Sequence, residues 1–379
     1  MLFSQDGRGF FWTGFGVGIC WFYWISFSFI HYGFAYLLPI GILGIACIYG
    51  FLFFAATLLH HNPWIKALSL VLLTQLHPFG FNWLDLRLLL VQTPFAVDYI
   101  ALCTFIIASL CFLTCKGRTK LFVLPFLLLS LDGTRDSTAE LPFEIALTQT
   151  SIHQSEKWLP HLRNNHIKNN IQYIQEAAAQ KKRLIVLPES AFPLYLNQSP
   201  VIMSLLKELS YDIAIITGAL TLEDKKFYNS TYLFDKGNVT ILHKVILVPF
   251  GEEVPLPKFM KHWINAIFYG GAEDFSVASS PQDFIIDHLL IRNAICFEAT
   301  RPELFANNPT FMIATSNNAW FTPSSEPILQ KQLLILQASL HHTTIYHSVN
   351  GSKSEIIKEK QSGPLGPLRE LFFKTIEQF

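Results

Sequence analysis

The stretch Ile291-Arg292-Asn293-Ala294-Ile295-Cys296-Phe297-Glu298 is an apolar run that stops at a thiol flanked by polar residues. It predicts a strand that delivers one reactive side chain at its carboxyl end. No other cysteine follows Cys115, so Cys296 has no disulfide partner in the second half of the chain. Upstream, Leu184-Ile185-Val186-Leu187-Pro188-Glu189 is a similar run ending in a carboxylate, and His243-Lys244 is followed by Pro249-Phe250-Gly251-Glu252. A thiol is an effective nucleophile only as thiolate, so it needs a base and a nearby cation. Glu189, Lys244 and Cys296 offer the three parts in that order. Two have plainer readings alone, Glu189 as a cap or surface charge and Lys244 as a solvated lysine, whereas a lone Cys296 without a disulfide partner favours a reactive role. Glu252 and Glu298 add acids beside the last two.

Around these runs, short β-rich segments alternate with helical ones. Phe143–Thr148, Leu184–Leu187, Ile213–Ile216 (ending at Thr217-Gly218) and Phe311–Ala314 read as strands. Arg163–Lys181, Val201–Ser210 and a segment near Pro327–His341 read as helices. Tyr228–Phe234 and Val239–Val245 pair around Asp235-Lys236-Gly237-Asn238, two runs within Phe284–Ile295 surround Asp287-His288, and Asn350-Gly351 marks a further hairpin. This alternation predicts an α/β domain with a central sheet, whose active groups collect beyond the carboxyl ends of strands. Glu189, Cys296 and Asn317 stand in that position.

The first third of the chain is different. Residues 1–131 carry nine charged side chains, and none lies between Gly9 and Ile65. Spanning a bilayer takes ~20 apolar residues. Phe10–Ile30, Tyr32–Leu59, an interrupted Ala67–Leu90, Val97–Cys115 and a short Leu121–Leu131 are five candidates. Lys116, Arg118 and Lys120 form the densest short basic loop, which belongs in the cytoplasm. Five spans then put Arg8 and Lys66 inside and everything after Asp132 outside, in the periplasm of a bacterium. The domains expected are a transmembrane domain at 1–131, a catalytic domain at 142–358 and a tail at 359–379. Within that tail Glu359–Gly366 reads as flexible and Pro367–Phe379 as an amphipathic helix.

Other chemistries find little support. The formal net charge is zero, which gives no argument for nucleic acid. His341, His342 and His347 cluster without a completing acid or cysteine, so no metal site is expected. No glycine-rich phosphate loop follows a strand, and no cofactor is expected. Asn229-Ser230-Thr231 and Asn197-Gln198-Ser199 match the short glycosylation pattern.

Leu187-Pro188-Glu189, Lys244 and Cys296 resemble the Glu-Lys-Cys triad of the nitrilase superfamily. Several further segments resemble its membrane-embedded branch, the apolipoprotein N-acyltransferases. They are Gly14–Ile25 with Cys20-Trp21-Phe22-Tyr23-Trp24-Ile25, Ala146-Leu147-Thr148-Gln149 followed by Lys157-Trp158, His243-Lys244 with Leu247 to Pro255, and Ser316-Asn317-Asn318-Ala319-Trp320-Phe321. The resemblance runs over residues 10–357. It implies a multi-span α-helical membrane domain joined to an α/β nitrilase-like (carbon-nitrogen hydrolase) α-β-β-α sandwich. It implies Glu189 as base, Lys244 as the cation beside the oxyanion and Cys296 as nucleophile. Glu252, Glu298, Trp158, Phe297, Asn317 and Trp320 are then supporting or substrate-binding residues. Phe297 departs from the family, which usually has tyrosine there, and spans usual in the family are missing at both ends.

The activity so implied is transfer of an acyl chain from a phospholipid, through a cysteine thioester, to the α-amino group of the diacylglyceryl-cysteine of an apolipoprotein. The partners are a phospholipid donor, the lipoprotein acceptor and the inner membrane, with the enzyme a monomer. A membrane-tethered amidase would carry the same triad, and a truncated inactive homologue would share the shortened ends.

Overall fold

A computed structural model describes residues 7–58, 62–76, 80–81, 83–133, 139–249, 251–253, 274–360, 365 and 367. Its described strands are β1 (Ile145–Leu147), β2 (Gln149–Thr150), β3 (Leu184–Val186), β4 (Phe192–Tyr195), β5 (Ala214–Glu223), β6 (Lys226–Asp235), β7 (Asn238–His243), β8 (Asp283–Ile286), β9 (Leu289–Ile295), β10 (Phe311–Asn317), β11 (Thr344–Asn350) and β12 (Glu355–Ile357). They form two six-stranded sheets. One runs β1-β3-β5-β6-β7 with β4 beside β5, the other β12-β11-β10-β9-β8 with β2 beside β11.

The uninterrupted apolar runs follow from burial on both faces of each sheet. Leu184, Val186, Ala214 and Ile216 point inward and meet Phe284, Ile286, Ile291 and Ile313 of the second sheet. Ile185, Leu187 and Ile215 point outward, packing with Ile174 and Leu206 of the helices Pro160–Ala179 and Pro200–Leu209. In the second sheet Ala294, Met312, Ala314 and Ile345 cover Leu334 and Ala338 of the helix Glu326–His341. The layers are therefore α-β-β-α. Its key strands, β1, β3 and β5 in one sheet and β9, β10 and β11 in the other, are parallel within each sheet. Their carboxyl ends gather at one edge.

Two hairpins have the turn chemistry that the sequence suggests. Lys236 and Gly237 have φ of 50° and 78°, and Asp287 and His288 have 48° and 66°, as a two-residue primed turn requires. One strand end is corrected. β5 does not stop at Thr217-Gly218 but runs on to Glu223. Gly218 serves close approach instead: a Cβ there would lie 2.5 Å from Ser190 N and 2.7 Å from Glu189 Cα. The expected helix at 367–379 lies outside the described residues, as does most of 359–366.

Among the described residues of the first third, one unbroken helix, Ala35–Leu58, is long and apolar enough to cross a membrane. Phe10–Ile30, read as one span, falls in the helix Arg8–Trp21 followed by Tyr23–His31, a pair that is apolar enough together to span and is bent by 52° at the break. The other candidates contribute shorter helices: Pro63–Leu73 and Leu88–Val91, Tyr99–Thr114, and Val123–Ser130. Ile40, Leu43, Ile48, Phe51 and Leu58 point outward from the long helix, as side chains facing lipid do. Gly14 and Gly18 bring the first helix against Tyr49 and Ala46, a small-residue crossing common between membrane helices.

The two halves meet along an aromatic seam. Phe297 stacks on Phe81 with centroids 5.5 Å apart, and Phe321 meets Trp24 at 4.9 Å. Trp83 Nε1 donates to Thr300 Oγ1 at 3.1 Å, and Arg301 Nη1 donates to the Gly80 carbonyl at 2.7 Å. Farther along, Lys360 Nζ donates to the Thr93 carbonyl at 2.7 Å.

Candidate active site

Glu189, Lys244 and Cys296 come from three strand ends. Glu189 follows β3 through Leu187-Pro188, and Ser190 after it is left-handed at φ 49°. Cys296 follows β9 directly and is itself left-handed, φ 56°. Such a conformation is strained for a residue with a Cβ, by ~1–3 kcal/mol, and it turns the chain sharply under the thiol. Lys244 follows β7, and its backbone N–H donates to the Asn229 carbonyl at 2.9 Å.

The charges are arranged around Lys244. Its buried Nζ lies 2.6 Å from Glu252 Oε2 and 4.0 Å from Glu189 Oε1. The shorter contact is close in distance but out of line for a hydrogen bond, so Nζ has no hydrogen-bond acceptor among the described residues. Its N–H donors are available to an incoming oxygen. Burial acts to lower the Lys244 pKa, but the Glu252 carboxylate, then Glu189, outweigh it and the net shift is upward. The lysine is an ammonium throughout the neutral range.

Cys296 is partly accessible, yet packing raises its thiol pKa well above the ordinary value. Burial is the main cause and the Glu189 charge adds to it, while Lys244 and the Asn317 backbone amide oppose. The resting group is therefore held as a thiol, with Glu189 among the charges that act on it.

Glu298 ties two of these strand ends together. Its Oε2 accepts from the Val245 and Ile246 amides at 2.7 and 3.0 Å, and its Oε1 accepts from the Ile295 amide at 2.8 Å. Burial pushes its pKa up to about 7, against the pull of Lys244 and those amides. Glu252 Oε2 accepts from the Val248 amide at 2.9 Å.

Three residues that the sequence left unassigned complete the cluster. Asn229, matched there to a glycosylation pattern, is buried instead. Its Nδ2 donates to Glu189 Oε1 and to Glu252 Oε1, both at 2.8 Å. An interior strand residue is no substrate for a glycan; the register of β6 on β7 sets it opposite Lys244. Lys157 is buried too, and its Nζ donates to the Glu189 carbonyl at 2.8 Å. Burial lowers its pKa to about 8, partly offset by Glu189 and Cys296. Gln154 accepts from Asn317 Nδ2 at 2.8 Å, while Asn350 Nδ2 donates to Asn317 Oδ1 at 2.7 Å. The sequence signal for Lys157 was its place beside Trp158; for Asn229 and Gln154 there was none.

Not every candidate lines the triad. Trp158 is 38% exposed, one residue past Lys157. Asn317 is spent on its amide network. Trp320 faces the membrane half: its carbonyl lies 2.8 Å from His31 Nε2, and its ring meets that imidazole edge-on at 4.9 Å. His347 is buried against Ser316 Oγ at 2.8 Å, and among the described residues no group of three metal-binding side chains forms.

Comparison with known proteins addresses the family and the two halves of the chain. Residues 1–133 match the family model for the apolipoprotein N-acyltransferase integral membrane domain, and residues 145–338 match carbon-nitrogen hydrolase. A curated apolipoprotein N-acyltransferase of Wolinella succinogenes is 44% identical over 91% of this chain and 83% of its own. The chain belongs to the apolipoprotein N-acyltransferase family. Family members from Campylobacter jejuni and Helicobacter pylori are 38% and 37% identical, over 95% and 93% of this chain and 81% and 84% of theirs. Among solved structures, a CN-hydrolase superfamily protein from Xanthomonas campestris is 14% identical with a TM-score of 0.42, covering 62% of this chain and 97% of its own. Membership makes the first third a membrane domain and the α-β-β-α sandwich a carbon-nitrogen hydrolase domain.

Proposed function

We propose that the protein transfers an acyl chain from a phospholipid to the α-amino group of the N-terminal diacylglyceryl-cysteine of apolipoproteins, through a thioester on Cys296. One observation carries the reading beyond a general thiol acyltransferase: Phe297, the residue after the thiol, is stacked on Phe81 of the membrane half. A thiol adjoining the membrane half suits two lipid substrates.

In the first half-reaction Glu189 takes the thiol proton as sulfur attacks the ester carbonyl. Lys244 faces the developing oxyanion, where one well-placed donor contributes ~3–4 kcal/mol. The ester C–O bond breaks, Glu189 returns the proton to the leaving alkoxide, and a lysophospholipid departs. In the second, the acceptor amine attacks the thioester and sulfur leaves, recovering its proton through Glu189. Asn229 and Lys157 hold Glu189 in place, and Glu298 ties the Lys244 segment to the Cys296 turn. The enzyme resides in the bacterial inner membrane as a multi-pass monomer with its catalytic domain in the periplasm.

The test is intact-mass analysis of purified protein incubated with phospholipid. Wild type should gain an acyl adduct that neutral hydroxylamine removes. Cys296→Ala should gain none, and Glu189→Gln should form it at least ~100-fold more slowly. An adduct on Cys296→Ala would sink the reading.

A further inference from the structure

The first turn of the helix Glu326–His341 carries an acid for which the reaction above has no task. Glu326 is 3% exposed, and its Oε2 is enclosed with no hydrogen-bond donor among the described residues. Acids at helix starts ordinarily cap amides or face solvent. Here Ser325 at the cap position makes no side-chain cap bond, and the Glu326 amide donates to Ser324 Oγ at 3.1 Å. The Glu326 charge acts on Cys296, opposing its thiolate. A buried acceptor with no donor is costly, so this pocket is incomplete as it stands.

The residue before Glu326 is tied to the membrane half. The Ser325 amide donates to Tyr23 Oη at 3.2 Å, and its hydroxyl donates to the Trp21 carbonyl at 3.4 Å. Leu329 and Leu333, one and two turns along, share a hydrophobic cluster with Phe297, Trp24 and Trp83. Glu326 therefore sits next to the contacts that join this helix to the membrane half, and its charge is felt at the Cys296 thiol.

We propose that Glu326 receives the acceptor's amine, pairing with the incoming α-ammonium and taking one proton from it before attack on the Cys296 thioester. The assignment rests on the acyl-transfer reading. An N–H bond of the ammonium breaks and an O–H bond forms on Glu326. The neutral nitrogen then bonds to the carbonyl carbon and the C–S bond breaks, its electron pair leaving on sulfur. The second nitrogen proton reaches that sulfur through Glu189, and the Glu326 proton passes to solvent. Without an amine, burial holds Glu326 protonated, with its pKa up to about 8. An ammonium arriving beside it favours the carboxylate, so its own proton passes to solvent as the amine docks and the carboxylate is then free to accept one from the ammonium. Water brings no positive charge and so gains no ion pair with this acid, which favours docking of the amine.

The experiment loads the full-length protein with an acyl chain from phospholipid, then chases it with a diacylglyceryl-cysteinyl peptide or with hydroxylamine. The peptide amine is largely ammonium at neutral pH, whereas hydroxylamine is largely neutral. Glu326→Gln should slow the peptide chase by ~100-fold or more and the hydroxylamine chase far less. Glu326→Asp, which keeps the acid, should recover part of the loss. A peptide chase at the wild-type rate, or equal slowing with both nucleophiles, overturns the proposal. So does a Glu326→Gln protein that forms no acyl-enzyme while wild type does, since the acid then serves the first half-reaction or folding. Failure of wild type itself to form an acyl-enzyme is a different result: it removes the acyl-transfer reading on which the assignment stands.

Discussion

Lys244 Nζ lies 2.6 Å from Glu252 Oε2, nearer than to any other carboxylate described. Lys244 is fully buried and the Glu252 side chain is only 13% exposed, so water replaces the partner poorly. Removing one partner of such a pair typically costs ~3–5 kcal/mol. Glu252→Gln should therefore lower denaturant stability by an amount of that order. It should also slow acyl-enzyme formation, because burial then acts on the Lys244 pKa with less opposition. Chemical denaturation and adduct mass read the two effects, and a Glu252→Gln protein that matches wild type in both would remove the lysine's proposed partner.

Gly218 tests whether position alone matters. Ser190 N and Glu189 Cα crowd its Cα and leave no room for a methyl group. Gly218→Ala should push the Glu189 loop outward, destabilise the fold by ~1–3 kcal/mol and slow acyl-enzyme formation. Gly16, which has nothing within 4 Å of an added Cβ, is the control: Gly16→Ala should do neither. Denaturation and adduct mass on both variants decide it, and equal behaviour of the two would show that the close approach at Gly218 is not needed.

Phe297 holds the seam. It is buried and stacks on Phe81 and Trp83, and truncating such a ring typically costs ~3–5 kcal/mol. Phe297→Ala should lose stability on that scale, while Phe297→Leu should lose less. Thermal melting in detergent reports both, and an unchanged Phe297→Ala melting temperature would mean that the seam contributes nothing to stability.

The pH dependence of stability should carry the mark of Glu326. Its folded pKa of about 8 stands above the ~4.3 of an unfolded glutamate. The folded state therefore holds a proton that the unfolded state has released. The contribution is fully present below the unfolded value and is lost as pH rises toward and through about 8. Relative to Glu326→Gln, wild type should lose stability between pH 5 and pH 8.5, by up to ~4 kcal/mol. Melting curves of both proteins at the two pH values test this; a constant difference between them would show that the acid is not held neutral.

Topology can be read by labelling. Ser279 and Gly117 are both exposed. A membrane-impermeant thiol probe should reach a cysteine introduced at Ser279 from the periplasmic side of cells, above the background of the parent protein. It should not reach one introduced at Gly117 until the membrane is opened. The reverse pattern would put the catalytic domain in the cytoplasm, away from exported lipoproteins, and the acyl-transfer reading would fail.

Much of the architecture was legible in the residues because it rests on local pattern. The uncharged run from Gly9 to Ile65, the apolar strands ending at Glu189 and Cys296, and the turn residues at Lys236-Gly237 and Asp287-His288 need no partner to be recognised. Helix continuity was harder to read. Hydropathy sums over Phe10–Ile30 as one span, whereas the chain bends between Trp21 and Tyr23. Gly218 misled for a related reason. A glycine after an apolar run looks like a strand end, but here the absent side chain makes way for Glu189.

By itself the sequence determined that a membrane half precedes an α/β half, and that a carboxylate, an ammonium and a thiol follow apolar runs in that order. Burial of apolar runs and the chemistry of turns are encoded within a few residues. Tertiary structure alone decided what surrounds those three groups. The pairing of β6 with β7 turned Asn229 from a surface acceptor pattern into the amide between Glu189 and Glu252. The folding of distant segments brought Lys157 under the Glu189 loop, Glu298 across to the Val245 and Ile246 amides, and Glu326 to the seam beside Cys296. Each depends on which face of a strand or helix meets an element far along the chain, or on a register set by side chains across a sheet, and no local pattern carries that information.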